Sequence, residues 1–209
     1  MSTLYIDFEG DTEGELYMVG ILSNGVFEQI ILTEKLKGLA KARELRIITF
    51  KDFLEEIKNF KTIAAYSLHE YDVLSESGWD GFEVGSCNYI NLASAAKRWI
   101  RRKRKDEFDS FPPLRKNLNQ YQASRIRNSL ASRMRLTDYK PPSDYAPFKT
   151  TARFKSGMDA LDKNNHDYAK LTPTQKSKLT KALKHNEFDV KALQILHEII
   201  IKEYPSAID

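Results

Sequence analysis

From Leu4 to Glu9 apolar and polar side chains alternate without exception. Leu4, Ile6 and Phe8 fall on one side, and Tyr5, Asp7 and Glu9 on the other. This is the period of a β-strand, whose successive side chains point to opposite faces. Asp7 and Glu9 therefore stand side by side on one face. The first strand of a mixed sheet is usually central, and two adjacent buried carboxylates repel each other unless a cation lies between them.

The strands that follow support a sheet. Gly10 to Gly14 reads as a turn, Glu15 to Leu22 as a second strand, Ser23-Asn24-Gly25 as a hairpin turn and Val26 to Leu32 as a third strand. These three strands form an antiparallel meander. Thr49 and Asp52 mark a helix start, with Phe50, Phe53, Leu54, Ile57 and Phe60 at helical spacing. Thr62 to Tyr66 is a short strand, and Ser67 to Leu74 a turn into a helix. Cys87 to Ile90 is a fifth strand, and Leu92 to Lys105 a helix ending in bases.

Between Asp106 and Leu171 lie five prolines (Pro112, Pro113, Pro141, Pro142 and Pro147). One helix is expected there, from about Leu114 to Met134, and a long loop or flap from Thr137 to Asn165. Thr172-Pro173-Thr174-Gln175 has the residues of a capping box with proline at the first helical position. Helical periodicity then runs through Leu179, Leu183, Val190, Leu193, Leu196 and Ile200, as two helices or one bent helix. The sum is an α/β fold, a mixed sheet of about five strands with helices on both faces, in a single domain over residues 1–209 with a basic, loop-rich insertion at about 106–171.

The lone cysteine, Cys87, rules out an intrachain disulfide and a cysteine-rich zinc site. The opening Met1-Ser2-Thr3-Leu4 has no basic stretch ahead of its short apolar run, so a signal peptide is not expected. No stretch has the length of a membrane span. A cytoplasmic protein without membrane contact is expected. The formal net charge of +4 hides an uneven distribution. Lys97 to Arg135 holds thirteen bases and three acids, a net +10, while the rest holds 20 bases and 26 acids, a net −6. A basic middle in an acidic chain points to a polyanionic partner, nucleic acid, DNA or RNA.

Two further acids stand out by context. Asp72 follows the apolar strand ending at Tyr66. Asp189 lies in the last amphipathic stretch, and His185, four residues earlier, shares its helix face. Phosphodiester hydrolysis uses two Mg²⁺ or Mn²⁺ ions about 3.5–4 Å apart, held by several carboxylates. A nearby His or Tyr can orient or deprotonate the attacking water. Singly, the residues also fit plainer roles: Asp72 as a helix cap, His185 with Asp189 as a surface pair, His69 in a turn, and His166 and His197 with no role. Trp99 reads as core.

Taken in order, Asp7-Phe8-Glu9, the stretch Ser67-Leu68-His69-Glu70-Tyr71-Asp72 and the stretch His185-Asn186-Glu187-Phe188-Asp189-Val190 resemble the three motifs of the four-acid (DEDD) 3′–5′ exonucleases of the ribonuclease H-like superfamily. The third is similar to the Tyr-Asn-x-x-Asp-Val motif of one branch of predicted exonucleases. Asn91-Leu92 and Pro113-Leu114-Arg115-Lys116-Asn117-Leu118 are similar to that branch's connecting segments. The resemblance implies a ribonuclease H-like sheet, two Mg²⁺ or Mn²⁺ ions on Asp7, Glu9, Asp72 and Asp189, and His185 as the catalytic base. The chain departs from the pattern at Ser67, where the family carries Asn, and at His185, which stands in the frame of the tyrosine branch. Given such a site, Arg101, Arg102, Lys103, Arg104, Arg125 and Arg127 are expected to contact nucleic acid. The competing readings are an endonuclease on the same fold and a nucleic-acid-binding module without catalysis.

Overall fold

The computed structural model describes residues 3–11, 13–82, 84–114, 119–142, 145 and 149–208. Met1-Ser2, Arg115 to Leu118 and Pro147, which the sequence reading used, lie outside them.

Three strands open the chain: β1 (Thr3–Gly10), β2 (Leu16–Ser23) and β3 (Val26–Ile31). Asn24 and Gly25 make the hairpin with φ of 51° and 77°, left-handed values that Gly and Asn tolerate best. Next come α1 (Lys37–Arg43), a two-residue strand β4 (Arg46–Ile47), and α2 (Phe50–Ile57). As expected, Thr49 caps α2, accepting from the Asp52 N–H. After β5 (Thr62–Ala65) and α3 (His69–Glu76) come β6 (Asn88–Asn91) and α4 (Leu92–Trp99). A π-helical turn (Ile100–Arg104) runs from α4 into α5 (Lys105–Ser110).

The sheet is mixed and has six strands in the order β4-β3-β2-β1-β5-β6 among the described residues. The meander is antiparallel, whereas β5 lies parallel to β1 and β6 parallel to β5. β1 is thus central, and its two faces serve two cores. Leu4, Ile6 and Phe8 pack with Phe53 and Ile57 of α2 and Leu74 of α3. Tyr5, on the other face, packs with α4 and the C-terminal helix. The short β4, which the sequence did not suggest, extends the expected five strands by pairing with the end of β3.

Residues 106–171 are more helical than the sequence indicated. The single helix expected from Leu114 to Met134 is instead α6 (Gln120–Arg127) and α7 (Leu130–Arg133). The break falls at Asn128-Ser129, where Ser129 caps α7 and its hydroxyl donates to the Ile126 carbonyl at 2.7 Å. The loop expected from Thr137 to Asn165 contains α8 (Thr150–Lys163). Its Phe154, Met158 and Leu161 are buried at spacings of four and three residues.

The C-terminal stretch is one helix, α9 (Pro173–Glu203), with the capping box of Thr172 and Gln175 formed. Its first half packs on α8 and its second half on α4 and the sheet. His197 is buried and paired with the Tyr5 hydroxyl through Nδ1 at 2.9 Å.

α8 and α9 approach closely at Gly157, where an added Cβ would lie 2.3 Å from Leu179 Cδ2 and 2.6 Å from its Cγ. Leu179 is fully buried and has no open side to move toward. Gly157→Ala should therefore destabilise the protein by about 1–3 kcal/mol from overpacking. That outweighs the roughly 1 kcal/mol alanine gains over glycine inside a helix. Urea unfolding should show a lower midpoint with an unchanged slope; a raised midpoint would mean that the two helices are not packed this closely.

Candidate functional site

β1 projects Asp7 and Glu9 from the face that α9 covers. α9 meets the sheet there through one amide, Asn186, which is fully buried. Its Nδ2 donates to the Asp7 carbonyl at 3.0 Å and to Asp7 Oδ2 at 2.8 Å. Its Oδ1 accepts from Gln29 Nε2 on β3 at 3.0 Å. The amide fits because the residue beneath it on β2 is Gly20, the register partner of Asp7. A Cβ at Gly20 would lie 2.2 Å from Asn186 Oδ1.

With Asn186 fixed, His185 and Asp189 turn toward the acids of β1. His185 Nε2 lies 3.2 Å from Asp189 Oδ2, with side-chain exposures of 6% and 15%. One oxygen each of Glu9 and Asp189 and one ring nitrogen of His185 all lie within 4.8 Å of one another. His185 Nδ1 is buried and has no hydrogen-bond partner among the described residues. Tyr145, from the segment before α8, stacks on the His185 ring at 4.0 Å and 9°, and its hydroxyl donates to Asp189 Oδ1 at 2.9 Å.

The fourth acid is not the expected one. Asp72 does not line the cavity that holds Asp7, Glu9, His185 and Asp189; Glu70 does. Positions two apart on a helix are about 200° apart around its axis, so α3 can present only one of them. Glu70 is buried and accepts from the Ser67 hydroxyl at 3.0 Å. The departure at Ser67 is thus part of the site. The cavity, about 550 Å³, is also lined by Tyr66, Arg125, Thr150 and Thr151.

Burial drives the electrostatics. It is the first cause raising Asp7 well above the ordinary carboxylate range, followed by Glu9, Asp189 and Glu70; the Asn186 hydrogen bond works against them. Glu9 is raised by burial, then by Asp189 and Glu70. Burial also raises Glu70. Tyr145 is pushed up by burial and then by Asp189, so it stays a protonated donor. Partly buried carboxylates whose proton affinity is raised by burial and then by one another, beside an imidazole nitrogen with no hydrogen-bond partner among the described residues, suit an oxygen- and nitrogen-ligated divalent cation.

Of the bases expected to meet nucleic acid, only Arg125 lines this cavity. Arg101, Arg102 and Lys103 are exposed on the π-helical turn, with Lys103 over the Tyr204 ring at 5.9 Å. Arg104 is instead bound within the protein, its Nε donating to Glu203 Oε2 at 2.9 Å and its Nη1 to Glu107 at 2.9 Å. Arg127 pairs with Asp109. Trp99 is core, as expected, and donates to Glu203 at 2.8 Å. His69 is exposed. Among the described residues no helix is long and apolar enough to cross a membrane.

Compared with known proteins, the chain matches no protein-family model and no curated protein sequence.

The raised carboxyls make a pH prediction for the metal-free protein. A native carboxyl with a raised pKa keeps a proton that the unfolded chain releases. Its stabilising contribution is therefore full below the unfolded value of about 4. It is lost as pH rises through the native value. In EDTA, the unfolding midpoint attributable to Asp7, Glu9 and Glu70 should fall from mildly acidic toward neutral pH. Asp7→Asn keeps an acceptor for Asn186 and should flatten that fall. Urea titrations at stepped pH check it; the same slope in both proteins would contradict the raised Asp7.

Proposed function

We propose that this protein is a metal-dependent nuclease of the ribonuclease H-like superfamily, acting as a 3′–5′ exonuclease on nucleic acid. The observation that carries the reading is the convergence of Asp7, Glu9, Glu70 and Asp189, from β1, α3 and α9, around one cavity. The sheet, with a central β1 flanked by an antiparallel β2 and a parallel β5, is compatible with that superfamily. The direction of attack, from a 3′ end, comes from the motif resemblance. An endonuclease on the same fold is the alternative that product analysis separates.

Glu9, His185 and Asp189 would hold one divalent ion, with Asp7 and Glu70 beside them completing the negative charge. Bound Mg²⁺ or Mn²⁺ would supply an activated water and charge stabilisation at the leaving oxygen. The protein's own part is placement. Asn186 fixes the Asp7 carboxylate, Ser67 fixes Glu70, and Tyr145 fixes Asp189. His185 is held between the Tyr145 ring and Asp189 Oδ2. In this reading His185 serves as a metal ligand, where the motif resemblance implied a catalytic base. Arg125, on the rim, has the charge to meet a phosphate.

Hydrolysis of end-labelled and circular single-stranded DNA and RNA, with Mg²⁺, Mn²⁺ or EDTA, tests the activity. Metal-dependent mononucleotide release from linear substrate is expected, with circular substrate intact. Losing a group that supports a metal site costs about 10–100-fold. Glu70→Gln and Asp7→Asn should each lower activity by about that much, while Asp72→Asn retains it. Activity lost with Asp72→Asn but kept with Glu70→Gln would restore the motif's assignment. No hydrolysis under any condition would refute the nuclease.

A further inference from the structure

A second cavity, of about 230 Å³, lies behind α6 and is lined by side chains from α5 through Arg135. Its walls are largely apolar: Phe108, Phe111, Pro112, Pro113, Leu114 and Ile126. Phe108 and Phe111 meet edge to face, with centroids 6.3 Å apart at 77°. Two guanidiniums are laid on these rings. Arg135 lies 4.4 Å from the Phe111 centroid and donates to the Pro112 carbonyl at 2.6 Å. Arg127 lies 4.9 Å from the Phe108 centroid. Ser124 of α6 lines both this cavity and the acidic one, so the two adjoin.

We infer that this cavity is a nucleobase subsite, which receives one unstacked base of a single strand whose backbone passes into the acidic cavity. The inference rests on the nuclease reading for the identity of the strand. Its physical basis is separate. Phenyl rings and guanidinium planes are the surfaces on which bases of any sequence stack. An aliphatic ligand would draw nothing from the two arginines, whereas a nucleotide joins a flat ring to a phosphate. Charge agrees, because the segment from Lys97 to Arg135, which supplies most of the walls, is net +10 in a chain that is net −6 elsewhere. The cavity, at about 230 Å³, has room for a base but not for paired strands. It therefore selects a single base and not a duplex.

The test is photocrosslinking of wild-type protein, in EDTA, to a short single strand carrying iodouracil, followed by peptide mapping. Crosslinks on Phe108 or Phe111 are expected. Phe111→Ala should weaken affinity for the same strand by roughly 5- to 150-fold, the range for loss of one base–aromatic stack. Crosslinks confined to other peptides, with affinity unchanged in Phe111→Ala, would overturn the subsite even where wild type degrades the strand with metal. Crosslinks at these rings without any metal-dependent cleavage would support the subsite and overturn the nuclease reading instead. Absence of strand binding altogether would overturn the subsite, while the nuclease reading stands or falls with the hydrolysis assay.

Discussion

Asn186 is an amide with its two ends in different company. Its nitrogen side donates to the backbone and carboxylate of Asp7, and its oxygen side accepts a hydrogen bond from Gln29 two strands away. A primary amide is one of the few side chains that can donate to a carboxylate and accept from another amide in the same plane. This contact and the apolar packing of Val190, which also lies against Gly20, hold the rotation of α9 about its axis, and His185 and Asp189 stand one before and three after Asn186 on the same helix. A helix rotated by one residue would turn both of them away from Glu9. Gly20 is the counterpart on the sheet, since any side chain there would hold the helix off.

The cluster this contact organises is unfavourable for folding taken alone. Four carboxylates share a cavity, and three of them are held above their ordinary range largely by burial. Proteins keep such arrangements where chemistry requires them and offset them locally. Here three of the four acids accept a side-chain hydrogen bond: Asp7 from Asn186, Glu70 from Ser67 and Asp189 from Tyr145. Two large apolar clusters flank the site and supply the stability that it does not.

The strands and α9 were legible because their signals are local. An unbroken alternation marks β1, Asn24-Gly25 sets the hairpin, and Thr172 with Pro173 and Gln175 starts α9. β4 was not legible, because two residues carry no period. α8 was not legible, because the stretch from Thr137 to Asn165 shows little periodicity; Gly157 within it marks close packing against Leu179. Of the site, Asp7, Glu9 and Asp189 could be read from alternation and motif order. The shift from Asp72 to Glu70 is a matter of helix phase that a motif frame does not fix, although the Ser67-x-x-Glu70 spacing, the spacing of a capping pair, pointed to it. Tyr145 had no signal at all, since it stands in a stretch without periodicity and acts through its contacts with His185 and Asp189 of α9.

The distance along the chain between the two sides of the site has a consequence for how the protein is made. Asp7 and Asn186 are 179 residues apart in sequence, yet hydrogen-bonded. During synthesis the acids of β1 emerge first, and at about 5–20 residues per second the ribosome needs on the order of ten seconds or more to deliver the partners on α9. Through that interval the nascent chain carries Asp7, Glu9 and then Glu70, but no His185 or Asp189 to complete the cluster. Whatever chemistry the cavity performs is withheld until the chain has been made through residue 189 and α9 has docked.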